Sequence, residues 1–217
     1  MLLLAGDGAD VAGKKPLPEI PAEREQQLVA YLKDNWKSPE EYVVEKFKDY
    51  DIVFVGEYHR IRHDVELIHK LIPVLYDAGV CNLGIEFGAH ELQEQVDQLV
   101  TAKEYDEGLA RRLMFGWSTY WGYVEYMDIY RAAWEVNSKR PPGAPAFRVV
   151  NLDALTREDL VQEHMTPELW KKVYPKGDRD EHMAKVVIDE FVAPGKKALI
   201  YSGSHHAFTR YHQPIYD

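Results

Sequence analysis

The chain has 217 residues, of which 46% are hydrophobic and 29% are charged, a composition that is ordinary for one globular domain. Its formal net charge of -10 at pH 7 argues against a nucleic-acid phosphate backbone as the main partner. The single cysteine, Cys81, excludes an internal disulfide and a cysteine cluster for zinc or iron–sulfur, and no run approaches the ~18 apolar residues of a membrane helix.

The first residues predict a flexible N-terminal arm over 1–21, rich in Gly, Ala and Pro. The apolar start, residues 1–6, is too short for a signal peptide and has no basic lead-in, so it is either the remnant of a trimmed signal or simply the start of the chain. An exported (periplasmic or lipoprotein-like) and a cytoplasmic location both stay open. We expect residues 22–217 to form a single domain.

Helices and strands alternate through this domain. Helical patterning begins near Ala22 and runs through Leu32. A second helix is predicted after Ser38, because Ser38 suits the N-cap, Pro39 the first position and Glu41 the closing residue of a capping box. Short apolar runs predict buried strands over 51–55, 81–87, 147–152 and 198–201. Helices are predicted between them over 63–77, 156–173 and 179–192, with two or three more across 89–137.

This order predicts an α/β fold with a mainly parallel sheet flanked by helices. Right-handed crossovers would bring the carboxyl ends of all four strands to one edge, where open α/β sheets bind their ligands. Every strand delivers a charged or imidazole side chain to that edge. These side chains are Glu57 and His59, Glu86, Asp153, and His205 with His206.

The residue types at this edge suit proton transfer or metal-assisted hydrolysis. Glu86 lies on so apolar a strand that its carboxylate has to be paired, metal-bound or shifted in pKa. Together, the two carboxylates and two imidazoles of Glu57, His59, Glu86 and His206 are suitable ligands for Zn, Mn, Co or Fe, which would activate a water molecule. Without a metal, a histidine held by a carboxylate can act as a general base. The absence of a Gly-x-Ser-x-Gly elbow, a phosphate-binding loop and a dinucleotide fingerprint argues against serine-hydrolase or nucleotide chemistry.

The same motifs resemble a superfamily that contains the erythromycin esterases, the Tiki-type metalloproteases with their TraB relatives, and the ChaN-type haem-binding uptake lipoproteins. The likeness extends between residues 50 and 208, in the family's order. It rests on Gly-Glu-x-His at 56–59, Glu86, Asp153, the helix start Arg179-Asp180 with Met183-Ala184, and Gly-x-x-His at 203–206.

The resemblance implies a site with Glu57, His59, Glu86 and His206 at its core, as catalytic groups and as metal ligands. Asp153 and Arg179 would be secondary, with Arg179 holding an anionic substrate group or bracing the carboxylates. Because adjacent residues leave a strand in opposite directions, we expect only one of His205 and His206 to point inward. Relatives continue with more sheet and helix, so we expect this domain to be minimal or to lack C-terminal elements found in them.

An aromatic stretch, residues 115–134, precedes the third strand. The spacing of Tyr123, Tyr126, Tyr130 and Trp134 puts their rings on one helix face. One interpretation is a helix packed on the sheet through large rings. The other is an aromatic wall over the strand edge for a flat or bulky ligand. The predicted substrate-binding residues are Arg179, Asp153, His205, Trp121 and Tyr123.

Three functional hypotheses follow. The leading one is a hydrolase, metal-dependent by preference, that cleaves an ester or amide bond in a small-molecule or peptide substrate. The alternative is a haem- or iron-binding uptake protein without catalysis, in which the axial haem ligand is Tyr58, Tyr201, Tyr211 or His212. A third is a scaffold whose site has decayed. The sequence leaves the substrate, the metal and the oligomeric state open.

Overall fold

The computed structural model describes residues 20–208. The described residues divide into two compact units, residues 20–37 and 38–208. In the first unit, helix α1 (Ala22–Asp34) begins at the residue the sequence predicted, and none of its side chains is buried. The predicted arm lies outside the described residues except for its last two, and so do Tyr211, His212 and the end of the chain.

The second unit begins with the predicted capping box. Helix α2 (Pro39–Lys46) has Pro39 at its first position. The hydroxyl of Ser38 accepts the backbone N–H of Glu41 at 3.2 Å, and the Glu41 carboxylate accepts the N–H of Ser38 at 3.0 Å. These reciprocal bonds satisfy two of the N–H groups that a helix start leaves free. Val43 and Phe47 are buried, so the capped helix is anchored in the core.

The described strands form one parallel sheet in the order β1-β4-β2-β3, which confirms the predicted α/β class. The strands are β1 (Ile52–Glu57), β2 (Asn82–Ala89), β3 (Arg148–Asp153) and β4 (Ala198–Gly203). Both β1 and β4 run two residues beyond the predicted apolar runs. They do so because the pairing of Gly56 with Ser202 and of Glu57 with Gly203 continues the ladder after the apolar residues end. This extension carries Glu57 to the carboxyl edge of the sheet.

Helices cover the two faces of the sheet unequally. One face packs side chains of β2, β3 and β4 such as Leu83, Val149 and Leu199 against α2 and four further helices, in the larger core cluster. Those four helices are α3 (Arg62–Asp77), α4 (Gln93–Thr101), α5 (Glu107–Trp117) and α6 (Val124–Lys139). The other face packs Val150 and Ile200 against α8 (Arg179–Val187) and the π-helical turn Ile188–Val192 that continues it.

The predicted helix over 156–173 is wrong in its first half. Only α7 (Pro167–Val173) is helical at full pitch, preceded by a 3₁₀ turn at Glu158–Leu160. Pro167 disfavours helical geometry at the residue before it, and Thr166 is extended there and caps α7 through a 3.2 Å bond from the N–H of Leu169. A last helical turn, α9 (Ser204–Ala207), follows β4. None of the helices in 20–208 is long and apolar enough to cross a membrane.

Candidate functional site

Glu57 is the last residue of β1 and is buried. Its carboxylate accepts hydrogen bonds from three side chains. The hydroxyl of Tyr126 lies 2.7 and 2.9 Å from its two oxygens, the hydroxyl of Tyr201 also donates to it, and Nδ1 of His59 lies 2.9 Å from Oε1. Burial, together with the bond to Glu57, raises the pKa of both tyrosines above the ordinary value, which keeps the phenols as donors. The carboxylate is therefore fixed from several directions.

His59 lies in the turn between β1 and α3. Because a carboxylate only accepts hydrogen bonds, its contact with Glu57 places the ring proton on Nδ1 and leaves Nε2 with a lone pair. The ring packs edge-on against Trp121, with 4.8 Å between centroids, and against Phe87 at 6.0 Å. The side chain is still 44% exposed. A substrate or a water molecule can thus reach a histidine whose orientation the protein has set.

Glu86 leaves β2 on the opposite side of the sheet from Ile85 and Phe87, beside an irregularity in the β2–β3 register. Its carboxylate accepts the N–H of Gly203 at 2.7 Å and Nη2 of Arg179 at 3.0 Å. Burial alone would raise the pKa of Glu86. The nearby His206, the Gly203 amide and the Arg179 charge outweigh it and lower the pKa to about 2. Glu86 is therefore a charged acceptor on the α8 side.

Gly203 is where the two halves of the site meet. A Cβ atom placed on it would lie 2.6 Å from Cε1 and 3.0 Å from Nε2 of His59, and 3.4 Å from Oε2 of Glu86. The missing side chain thus lets the imidazole approach the carboxylate across the end of β4. Any larger residue would separate the Glu57–His59 pair from Glu86.

His206 lies in α9 and contacts two carboxylates. Its Nε2 is 3.4 Å from Oε1 of Glu86, and its Nδ1 is 2.5 Å from Oδ1 of Asp180. The bond to Glu86 raises the pKa of His206 against the effect of burial, and the charges of Glu86 and Asp180 add to the rise. The expectation that His205 and His206 leave a strand in opposite directions is wrong, because both lie in a helical turn. His206 reaches Glu86, and His205 is exposed.

Arg179 braces two carboxylates, the second of the two roles expected for it. Asp153, the buried last residue of β3, accepts Nε of Arg179 at 3.1 Å and Nη2 at 2.7 Å, and Nη2 also reaches Glu86. Trp117 donates to Asp153 from the other side at 3.3 Å. Asp153 therefore holds Arg179 in place beside Glu86.

Part of the aromatic stretch packs in the core and part lies at the site, so each of the two interpretations applies to some of its residues. Tyr126 and Tyr130 are buried in α6 and pack against the sheet. Trp121 and Tyr123 lie at the rim of the site instead, where the guanidinium of Arg60 is 5.5 Å from the Trp121 ring and 5.9 Å from the Tyr123 ring. Arg60 has a φ of 67°, a conformation that is uncommon outside glycine. Sequence reasoning missed this residue, and only its position next to the Gly-Glu-x-His motif points to it.

The four predicted metal ligands form two pairs rather than one set. Glu57 and His59 bond each other on the α6 side, and Glu86 and His206 contact each other on the α8 side. The carboxylate oxygens of Glu57 and Glu86 already accept hydrogen bonds from phenols, a backbone amide and a guanidinium. In residues 20–208 no group of three or more His, Cys, Asp and Glu side chains is arranged to hold a metal ion. In this arrangement the four side chains do not fit one shared metal ion. Metal binding by these residues therefore stays an untested prediction.

Comparisons with known proteins agree with the motifs. Residues 43–140 match the family model described as haem-binding uptake, Tiki superfamily, ChaN. That span contains Glu57, His59 and Glu86. The match supports assignment to the ChaN/Tiki-type superfamily, as the motifs predicted. A comparison with curated proteins finds no match.

Solved structures share the fold at low identity. The type III effector HopBA1 is 18% identical over 78% of this chain and 73% of its own, with a TM-score of 0.54. The C-terminal region of Pasteurella multocida toxin, described as having a thiol-protease-like catalytic triad, is 12% identical over 85% of this chain, with a TM-score of 0.52. This chain spans only 22% of that toxin chain. ChaN of Campylobacter jejuni, described for cofacial heme binding, is 15% identical over 76% of this chain and 74% of its own, with a TM-score of 0.49.

Proposed function

We propose that this chain of the ChaN/Tiki-type superfamily hydrolyses an ester or amide bond, with His59 as the general base and Glu57 as the group that orients it. The observation that carries the proposal is the 2.9 Å bond between Nδ1 of His59 and the buried Glu57 carboxylate, on a ring that is partly open to solvent. A histidine held in this way presents Nε2 to a water molecule, as general-base catalysis requires. The substrate is a small molecule or a peptide.

In this mechanism Nε2 of His59 accepts a proton as the oxygen of water attacks the substrate carbonyl. The tetrahedral intermediate carries negative charge on the former carbonyl oxygen. His206 and Arg179 lie on the Glu86 side of Gly203 and are already paired with carboxylates, so no step is assigned to them. The protonated His59 then returns its proton to the leaving group, so that an alcohol or amine departs and a carboxylic acid remains.

The proposal is tested with p-nitrophenyl acetate and three proteins. His59→Ala should lower kcat/KM by about 10²–10⁴-fold, the contribution of a general base. His63→Ala is the matched control, because His63 is exposed on α3 and lies outside the site. Since no step uses a metal, dialysis against EDTA should leave turnover unchanged. Hydrolysis no faster than in buffer, or equal rates for the two variants, would refute the proposal.

Haem binding is the second candidate, and the family-model match favours it. Of the expected axial ligands, Tyr211 and His212 lie outside the described residues. Within residues 20–208, Tyr201 is buried and bonded to Glu57, whereas Tyr58 is 71% exposed beside His59. Tyr58 would supply the phenolate ligand, and the Arg60 guanidinium on its aromatic support would pair with a propionate. Bound haem would supply an iron centre that is carried rather than used in catalysis.

A haem titration tests this second candidate. Tyr58→Phe should abolish the Soret shift that the unchanged protein gives. Tyr120→Phe is the control, since Tyr120 is similarly exposed, at 67%. Equal haem spectra for both variants would exclude Tyr58 as the ligand.

A further inference from the structure

A cavity of about 660 Å³ lies on the α8 face of the sheet, next to the site. Small-molecule binding sites commonly have volumes of ~300–1,000 Å³ and mostly apolar walls. The walls here come from β1, β3 and β4, from α8 and the turn that continues it, and from α9 and the residue that follows it. The apolar lining includes Phe54, Leu152, Met183, Val187, Ile200 and Phe208. The cavity therefore has the size and the surface of a ligand site.

One polar side chain in this lining is buried without a partner. Ser202 is only 2% exposed, and its Oγ has no hydrogen-bond partner among residues 20–208. It leaves β4 on the same side as Ile200, towards α8, and lines the cavity. Buried hydroxyl groups in native proteins are nearly always hydrogen-bonded, so an orphaned one on a residue that lines a cavity points to a ligand atom.

The cavity adjoins the Glu86–His206 half of the site. His206 and Asp180 line it, and the same His206 contacts Glu86. Ser202 is the chain neighbour of Gly203, where His59 and Glu86 approach each other. A molecule that fills the cavity with an apolar body therefore has one end near His206 and near Gly203, the glycine that His59 approaches.

We infer that this cavity binds the acyl chain of a carboxylic ester, with a polar atom of the ligand hydrogen-bonded to Ser202 Oγ. The inference rests on the proposed hydrolysis and names its substrate class, an ester with a medium-length apolar acyl group. An apolar wall with a single buried hydroxyl and a charged rim matches an amphipathic molecule of this kind better than a peptide, whose backbone would need several polar partners.

The first experiment compares p-nitrophenyl acetate with p-nitrophenyl octanoate. The unchanged protein should hydrolyse octanoate with at least a tenfold higher kcat/KM. Ala184→Trp, which places a large ring in the cavity from the exposed side of α8, should remove that preference and leave acetate hydrolysis unchanged. Lys185→Trp is the matched control, because Lys185 is exposed on α8 and does not line the cavity. Equal preference for octanoate in both variants would overturn the inference.

A second experiment measures binding without catalysis. The probe is 11-(dansylamino)undecanoic acid, followed by fluorescence on His59→Ala protein, which keeps the cavity. Ala184→Trp in that background should weaken binding at least tenfold, and Ser202→Ala should weaken it three- to tenfold. Ser202→Ala should also raise the Tm of the free protein, since it removes a buried hydroxyl without a partner.

The outcomes separate the cavity from the chemistry. Probe binding that is sensitive to Ala184→Trp, in a protein without esterase turnover, would support the cavity and refute the hydrolysis. If turnover depends on His59 but probe binding is unchanged by both Ala184→Trp and Ser202→Ala, the hydrolysis is supported and the cavity assignment is refuted. Loss of affinity in Ala184→Trp but not in Ser202→Ala would overturn the assigned hydrogen bond to Ser202.

Discussion

Nδ1 of His59 lies 2.9 Å from Oε1 of Glu57, whose side chain is completely buried at the end of β1. The partly exposed His59 ring is thus hydrogen-bonded to a carboxylate whose position is fixed by burial. Two tyrosine hydroxyls and the strand ladder hold that group from behind. The pair has the arrangement of a base and its orienting residue, which is the relationship that most of the following predictions address.

Glu57→Gln should keep the packing of the site but impair general-base catalysis by His59. The amide has nearly the shape of the carboxylate, yet it can no longer both fix the His59 tautomer and stabilise the imidazolium. We expect kcat for p-nitrophenyl acetate to fall by about 10²–10⁴-fold, with KM much less affected. Glu94→Gln, at an exposed position on α4, is the control. An unchanged kcat in Glu57→Gln would mean that Glu57 does not act through His59.

Tyr126→Phe should destabilise the fold as well as the site. The Tyr126 hydroxyl contacts both oxygens of Glu57 and accepts the N–H of Arg60. Its removal leaves a buried carboxylate with fewer donors, so the free energy of unfolding should fall by about 1.5–3 kcal/mol in urea titrations.

The control for this prediction removes an exposed tyrosine hydroxyl. Tyr76 donates to the carbonyl of Pro145 at 3.0 Å where solvent can replace the bond. Tyr76→Phe should therefore cost less than about 1.5 kcal/mol. Equal losses in the two variants would show that Glu57 does not depend on the Tyr126 hydroxyl.

Gly203→Ala should separate the two halves of the site. The new methyl group would lie 2.6 Å from Cε1 of His59, closer than real Cβ contacts, so the imidazole has to move away from Glu86. We expect kcat to fall at least tenfold while the far-UV circular dichroism spectrum is kept. Gly116→Ala is the control, since its Cβ would meet only one side-chain atom, at 3.9 Å. Full activity in Gly203→Ala would contradict the proposed approach of His59 to Glu86.

The sequence predicted the fold well because the strongest patterns are local. Continuous apolar runs marked all four strands, and the Ser38–Glu41 box marked the start of α2. The shared position of Glu57, Glu86 and Asp153 near one edge of the sheet could be predicted because parallel topology brings strand ends together. Strand alternation also places Glu57 and Glu86 on opposite faces of the sheet. This can be worked out only once the strand register, which pairs Glu57 with Gly203, is known.

The parts that were missed depend on contacts far apart in the chain. Tyr126 and Tyr201 reach Glu57 across 69 and 144 residues, and no local pattern signals such a bond. The assumption that His206 continues a strand failed because β4 ends at Gly203 and turns at once into α9. Residue types alone could not show that the carboxylates bind hydrogen-bond donors rather than a metal ion, since Glu and His side chains suit either arrangement.

The contact between Glu86 and His206 predicts how stability changes with pH. The pKa of Glu86 is lowered from 4.5 to about 2, so its contribution is complete above pH 4.5 and is lost as the pH falls towards 2. The pKa of His206 is raised above 6.5, so its contribution is complete below pH 6.5 and is lost as the pH rises through the folded-state value. Both contributions are therefore complete between pH 4.5 and 6.5.

His206→Ala should for this reason cost most in that window. The difference in free energy of unfolding between the unchanged protein and His206→Ala, measured by urea titration from pH 4.5 to 9, should be largest up to pH 6.5 and shrink above it. His63→Ala, at an exposed position on α3 outside the site, is the control. A difference that stays constant to pH 9 would mean that His206 is not charged against Glu86 in the folded protein.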